Sequence, residues 1–223
     1  MDSMYLIGSI AAIDWQPFLL AAVAILSLVN GFSVLQNNLS DRPDLKIAPV
    51  QDDNWVWWSE LKDPAGNPEI RRYILVGNLA RSNIGRRPTS VVSTELCIRM
   101  RNLKPARSPL FDVPPPVIPV SNAGTATLPV LRDRKDGLGG QPLLQPGEMV
   151  SGIHCFLFGM YGGELWRPKI EDGIIHGVIE MIGTFGRSYK SKVDFHFMPF
   201  EQLETLFPDL QPFIIQSLDY EET

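Results

Sequence analysis

The chain has 223 residues, 44% of them apolar and 20% charged, with a formal net charge of −5. Those values suit one ordinary domain with appendages, and at the level of composition they argue against wholesale disorder and against nucleic-acid binding. Two cysteines, Cys97 and Cys155, are too few for a disulfide framework and lack the CxxC spacing of a zinc or thioredoxin-like site.

Residues 1–14 form an N-terminal segment that carries Asp2 and Asp14 and no Lys or Arg. Residues 15–40 contain no charged side chain, and within them 18–35 (FLLAAVAILSLVNGFSVL) have about the length needed to cross a hydrocarbon core of roughly 30 Å. A transmembrane helix is therefore expected over 15–36. Asp14 is placed to cap its start, Pro17 falls in the first turn where a missing N–H costs little, and Trp15 is the amphipathic ring of a membrane surface. A cleavable signal is the competing reading, but it calls for a basic leading region and a small-x-small cleavage site, and neither is convincing here. No base precedes the helix, whereas Arg42, Lys46 and Lys62 follow it, so the positive-inside rule places the C-terminal domain in the cytoplasm. Both thiols stay reduced in that compartment. Asn30 and Gly31 are the candidate helix-packing positions, since an Asn within lipid favours a partner helix.

A polar linker is expected over 37–50, followed by a mostly β domain over 51–200. The first strand carries the densest aromatic cluster, with Trp55 and Trp57 on one face and Val56 and Trp58 on the other. Residues 73–80 (YILVGNLA) read as a strand buried on both faces, ending in the turn 83–88 (NIGRRP). Val92, Thr94, Leu96, Ile98 and Met100 then alternate with Ser93, Glu95, Cys97, Arg99 and Arg101, the period of a half-buried strand. That register puts Cys97 on the polar face, so two free thiols are expected. Residues 102–146, rich in Pro and Gly, read as a long extended loop with a short strand near 125–131. Strands over 149–160, 174–184 and 189–198 follow, the last two joined by the turn 185–188, and a helical turn near 201–207 opens an acidic tail over 201–223. About seven strands separated by turn signals are the pattern of a β-sandwich.

Three groups of residues carry a family resemblance: Asn83, Gly85, Arg86, Arg87 and Pro88 at the end of one strand; Leu144, Pro146, Gly147 and Glu148 in a later turn; and Gly186, Arg187, Tyr189 and Ser191 in the terminal hairpin. With them, residues 70–200 resemble the immunoglobulin-like sandwich of uncharacterised bacterial single-pass membrane proteins. The resemblance implies a mainly β fold, an immunoglobulin-like β-sandwich preceded by one N-terminal transmembrane helix, and it implies no activity.

Catalytic patterns are missing. His154, His176 and His196 each fall in an expected strand, and no HxxxH, HExxH or CxxC pair fixes two metal ligands locally. The glycines of 137–140 lack the Lys-Ser/Thr that completes a phosphate loop, and no G-x-S-x-G elbow occurs. No catalytic residue, cofactor, metal site or small-molecule substrate is expected. Charge is more informative, because 71–107 holds nine bases against Glu95 alone. Arg81, Arg86, Arg87, Arg99 and Arg101, with Trp55, Trp57 and Trp58, are the candidate interaction surface. A solvated, charge-balanced surface partly covered by the acidic tail is the plainer alternative. The functional expectation is a membrane-tethered, non-catalytic interaction module, its partners the bilayer and either a protein or an anionic membrane surface. The alternative is a structural auxiliary subunit of a larger membrane complex, held through its helix.

Overall fold

The computed structural model describes residues 16–50, 55–62, 67, 69–120, 124–132, 143–208 and 210. Helix α1 spans Gln16–Ser40. Its segment Gln16–Asn37 has a mean hydropathy of 2.3 and is long and apolar enough to cross a membrane. All its side chains from 16 to 37 are exposed among the described residues. Residues 1–42 and 43–223 form separate compact units.

The second unit is built from strands β1 (Leu45–Pro49), β2 (Val56–Lys62), β3 (Ile70–Asn83), β4 (Val91–Arg99), β5 (Pro105–Phe111), β6 (Val117–Val120), β7 (Gly124–Thr127), β8 (Met149–Tyr161), β9 (Ile170–Glu171), β10 (Ile174–Gly183) and β11 (Ser188–Phe197), followed by helix α2 (Phe200–Leu206). Seven of the strands close on themselves in the order β3-β2-β11-β10-β4-β5-β8 and back to β3. The immunoglobulin-like sandwich expected from sequence is therefore incorrect: the fold is a closed β-barrel with extra strands. Closure depends on two long-range pairings. β3 runs antiparallel to β8 from Ile70↔Tyr161 to Ser82↔Met149, and β2 pairs parallel with β11 at His196↔Trp57. The other edge of β3 takes β1 against Leu79–Asn83 and β2 against Arg71–Gly77, so β1 and β2 act as one interrupted strand.

Alternation of side chains along each strand fills the interior. Trp58, Tyr73, Leu75, Leu79, Leu96, Ile98, Phe156, Phe158, Ile179, Val193 and Phe195 belong to one buried cluster. β4 obeys the expected alternation from Thr94 to Met100 but not at its start, where Val91 is buried and Val92 exposed. A register shift opposite Ile182 and Gly183 explains the difference, since a bulge moves every side chain before it to the other face.

A second cluster lies outside the barrel wall. Ile74 and Val76 of β3 and Ile153 and Cys155 of β8 are covered by Leu203 and Phe207 of the α2 region, with Leu210 and Val113. That cover is why the middle of β3 is apolar on both faces. Residues 102–146, expected as a long loop with a short strand near 125–131, also supply a barrel strand: β5 pairs with β4 from Glu95↔Pro109 to Arg99↔Pro105, while β6 and β7, the latter overlapping the expected short strand, form a separate two-stranded sheet. Proline density hid β5, whose pairing to β8 uses only Leu110 and Phe111 and so leaves little ladder for a proline to interrupt. The expected linker over 37–50 contains the end of α1 and all of β1. Cys97 lies on the outer face of β4 and Cys155 under the α2 cover, and both are free thiols.

Candidate functional site

The outer face of β4, β10 and β11 carries a groove of about 730 Å³. Register builds it. Val178 pairs with Cys97 on one side and Lys192 on the other, and His176 pairs with Asp194, so these outward side chains form two cross-strand rows. Arg99, two residues beyond Cys97 on the same face, continues the second row, and Leu103 and Pro105 close one end. The two-residue turn at Asp172 and Gly173, with φ of 51° and 79°, folds β9 back onto β10 and brings Lys169 and Glu171 to the groove. Asp-Gly is a strong hairpin signal, and it marks residues that the charge count over 71–107 passed over.

The polar groups are partly paired. His176 Nδ1–H donates to Asp194 Oδ1 at 2.7 Å, and its Nε2 lies 3.6 Å from Glu171. Lys169 pairs with Glu171 at 2.5 Å, and this hydrogen bond holds the Glu171 carboxyl below its ordinary range. Among the described residues, Arg99 and Lys192 make no ion pair. Two cations outside any ion pair thus stand beside the apolar Val178, and the charge of Arg99 is felt by Glu171. Leu103, 69% exposed, has a φ of 65°. A bulky residue in the left-handed region stores of order 1 kcal/mol, and such strain collects at binding and switch sites. No group of three or more His, Cys, Asp or Glu side chains among the described residues is placed to hold a metal ion.

The arginines expected to share one face are dispersed. Arg81 is 1% exposed and shares its face of β3 with Leu75 and Leu79, which places it inside the barrel. Its Nε–H donates to His154 Nε2 at 2.7 Å, while His154 Nδ1–H donates to the Gly152 carbonyl at 3.1 Å. Burial, with the Arg81 charge beside it, keeps the His154 imidazole neutral far below the usual histidine range. Arg101 pairs with Glu164 at the turn after β4. Arg99 alone reaches the groove. Arg86 and Arg87 are exposed in the 84–88 turn. Alternation gives no warning for Arg81, since Arg at an inward position looks the same in sequence as Arg at a frayed strand end.

The tryptophans divide as their spacing predicts. Trp58 faces inward, its ring 6.3 Å from Tyr73 and 4.9 Å from Phe197, and its Nε1–H donates to the Gly173 carbonyl at 2.9 Å. Trp57 packs against the outer cluster and lies 5.0 Å from Trp55. Asn30 and Gly31 are exposed on α1.

Arg86 and Arg87 belong to a rim organised by Asn83, which is fully buried. Asn83 Oδ1 accepts from the Asp44 N–H at 3.2 Å and the Gly85 N–H at 3.1 Å. Its Nδ2 donates to the carbonyls of Arg87 at 2.7 Å and Leu144 at 3.0 Å. All four amide hydrogen bonds are made. They tie the incoming chain, the 84–88 turn and the 143–148 turn together. Thr184 joins the last turn to the same rim through Thr89 Oγ1 at 3.1 Å, and Tyr189 donates its hydroxyl to the Pro43 carbonyl at 2.7 Å.

No protein-family model matches the chain, and no curated protein matches it. Several solved structures are similar in part, among them the following three. A Bordetella pertussis protein designated ApaA is 15% identical, with a TM-score of 0.32 over 70% of this chain and 96% of its own. A structural-genomics target is 11% identical, with a TM-score of 0.30 over 72% and 89%. The sporulation control protein Spo0M from Bacillus subtilis is 13% identical, with a TM-score of 0.28 over 70% and 49%. Scores this low leave the fold assignment resting on the strand pairings.

Proposed function

We propose that the chain is a membrane-tethered, non-catalytic interaction module, anchored by α1, with its barrel on the cytoplasmic side and a protein partner bound in the outer-face groove. The observation that carries this reading is the pair of cations outside any ion pair, Arg99 and Lys192, over an apolar floor. That combination fits an acidic segment with an apolar anchor, because charge fixes register while the floor supplies buried area. The barrel interior is filled, by aromatic and aliphatic side chains and by the Arg81–His154 pair, which turns recognition to the outside. The apolar length of α1 supports the anchor, and the bases Arg42 and Lys46 after it support the orientation.

Cys97 lies in the groove and Cys155 is buried, so a photo-crosslinker attached to the native full-length chain reports on the groove alone. The reading expects discrete adducts in membranes that disappear with the double change Arg99→Glu and Lys192→Glu. Adducts indifferent to that reversal would remove it.

A second reading, a structural subunit held through its helix, draws on Asn30, a polar side chain within the apolar span. Asn30→Leu separates the two: it should release co-purifying membrane proteins under the second reading and leave groove adducts unchanged under the first.

A further inference from the structure

We propose that the barrel end where the chain arrives from α1, the rim organised by Asn83, docks on an anionic lipid headgroup layer. The inference rests on the tethering reading and names a second surface that it leaves open.

Three kinds of observation converge on this end. The first is chemical. Two neighbouring turns each present an apolar tip followed by a base: Ile84, 52% exposed, precedes Arg86 and Arg87, and Phe185, 68% exposed, precedes Arg187. An apolar tip flanked by arginine is suited to a bilayer surface, where the side chain enters the glycerol region and the guanidinium meets phosphate. Lys46 adds a base, and counting the flanking Asp41 and Arg42, five bases (Arg42, Lys46, Arg86, Arg87 and Arg187) stand against three acids (Asp41, Asp44 and Glu148), which leaves positive charge in excess. The exposed Met149 and Leu143 extend the apolar edge.

The second is mechanical. Exposed apolar tips on floppy turns lose entropy when they insert, and these turns are held beforehand. Asn83 fixes the backbone of the 84–88 turn at Gly85 and Arg87, and the Ile84 N–H donates to the Asp44 carbonyl at 2.8 Å. The Thr184 N–H donates to the Ser90 carbonyl at 3.1 Å, and Gly186 takes a φ of 71° that lets the turn close. Preorganisation of this kind reduces the cost of binding.

The third is the tether. Only Asp41 and Arg42 separate Ser40, the last residue of α1, from Pro43, the first of the barrel unit. Three Cα steps span at most about 11 Å, so an anchored helix holds the rim within reach of the headgroups.

The test is hydrogen exchange of the full chain in bilayer discs of zwitterionic lipid and of the same lipid with anionic lipid added. The expected result is slower exchange confined to 84–88 and 184–187 in the anionic discs, with the rest of the barrel unchanged as an internal control. Each base near an anionic surface is worth about five-fold in binding, so Arg86→Gln with Arg87→Gln should reduce the protection by roughly twenty-five-fold. Phe185→Ser should weaken it without changing net charge. Equal exchange in both lipids, or protection that survives all three substitutions, overturns the rim proposal while leaving the anchor in place. A chain that fails to remain with the discs overturns the tethering reading and this inference with it.

Discussion

Replacing Asn83 with Ala should be strongly destabilising, although the change removes hydrogen bonds rather than apolar packing. The side chain is fully buried and makes four hydrogen bonds, one in fully buried surroundings to the Leu144 carbonyl and three in partly buried ones. Each of the four bonds contributes about 0.5–1.5 kcal/mol net, and the Leu144 carbonyl keeps a second donor, the Thr89 N–H at 3.1 Å. The sum is about 3–5 kcal/mol, allowing water to reach some of the freed groups. For a domain of this size about 1 kcal/mol lowers the melting temperature by about 2–4 °C, so Asn83→Ala should melt roughly 10–15 °C lower. The assay is thermal unfolding of the full chain in detergent, followed by circular dichroism. Asn83→Asp provides a graded comparison, because it keeps the two acceptor bonds and loses both donors. If Asn83→Ala melts within about 3 °C of the parent, the amide network does not hold the rim and the reasoning fails.

Three further predictions follow from buried groups. His154 stays neutral in the folded chain while the unfolded chain protonates it below about pH 6.5; its contribution is full above that pH and falls on acidification by about 1.4 kcal/mol per unit. Chemical denaturation at pH 6.5 and 5.0 should therefore show a loss of about 2 kcal/mol that is absent in His154→Gln, and an equal loss in both would remove His154 as its source. Native protein should react with one equivalent of a thiol reagent, at the half-buried Cys97, and with a second only after unfolding, since burial pushes the Cys155 thiol far up; two fast equivalents in the native state would contradict the α2 cover. Gly177→Ala would bring a Cβ to 2.7 Å from Leu96 Cδ1 and 3.2 Å from Phe195 inside the barrel. Overpacking of this kind costs about 1–3 kcal/mol, and an unchanged denaturation midpoint would show that the interior is less tightly filled than its burial implies.

Local periodicity carried the strands and failed at closure. The alternation over 94–100 and the turns at Asn83-Ile84-Gly85 and Pro146-Gly147 are readable because they are contacts between near neighbours. The parallel β2–β11 pairing and the β3–β8 ladder join segments more than a hundred and about eighty residues apart, and a strand with one buried face looks the same in an open sandwich and in a barrel. Proline density over 102–146 concealed β5, because a barrel strand with few ladder bonds on one edge tolerates residues that a central strand does not. The apolar run of α1 was legible on length and composition alone. The sites were less so. Arg81 counted toward a surface charge cluster and lies inside the barrel, whereas Lys192 and Asp194 reach the groove only because β11 pairs with β10 in the register that sets them beside His176. Asn83 was visible as a turn residue, but its hub role required four partners from three separate segments.

The anchor is the premise on which groove, rim and orientation depend, and it is tested most directly by the mass of the chain that remains in alkaline-washed membranes. The account predicts a chain of full length retained in the membrane pellet. A shortened chain, cut after the apolar segment and released into the supernatant, would identify that segment as a removed signal and contradict the account.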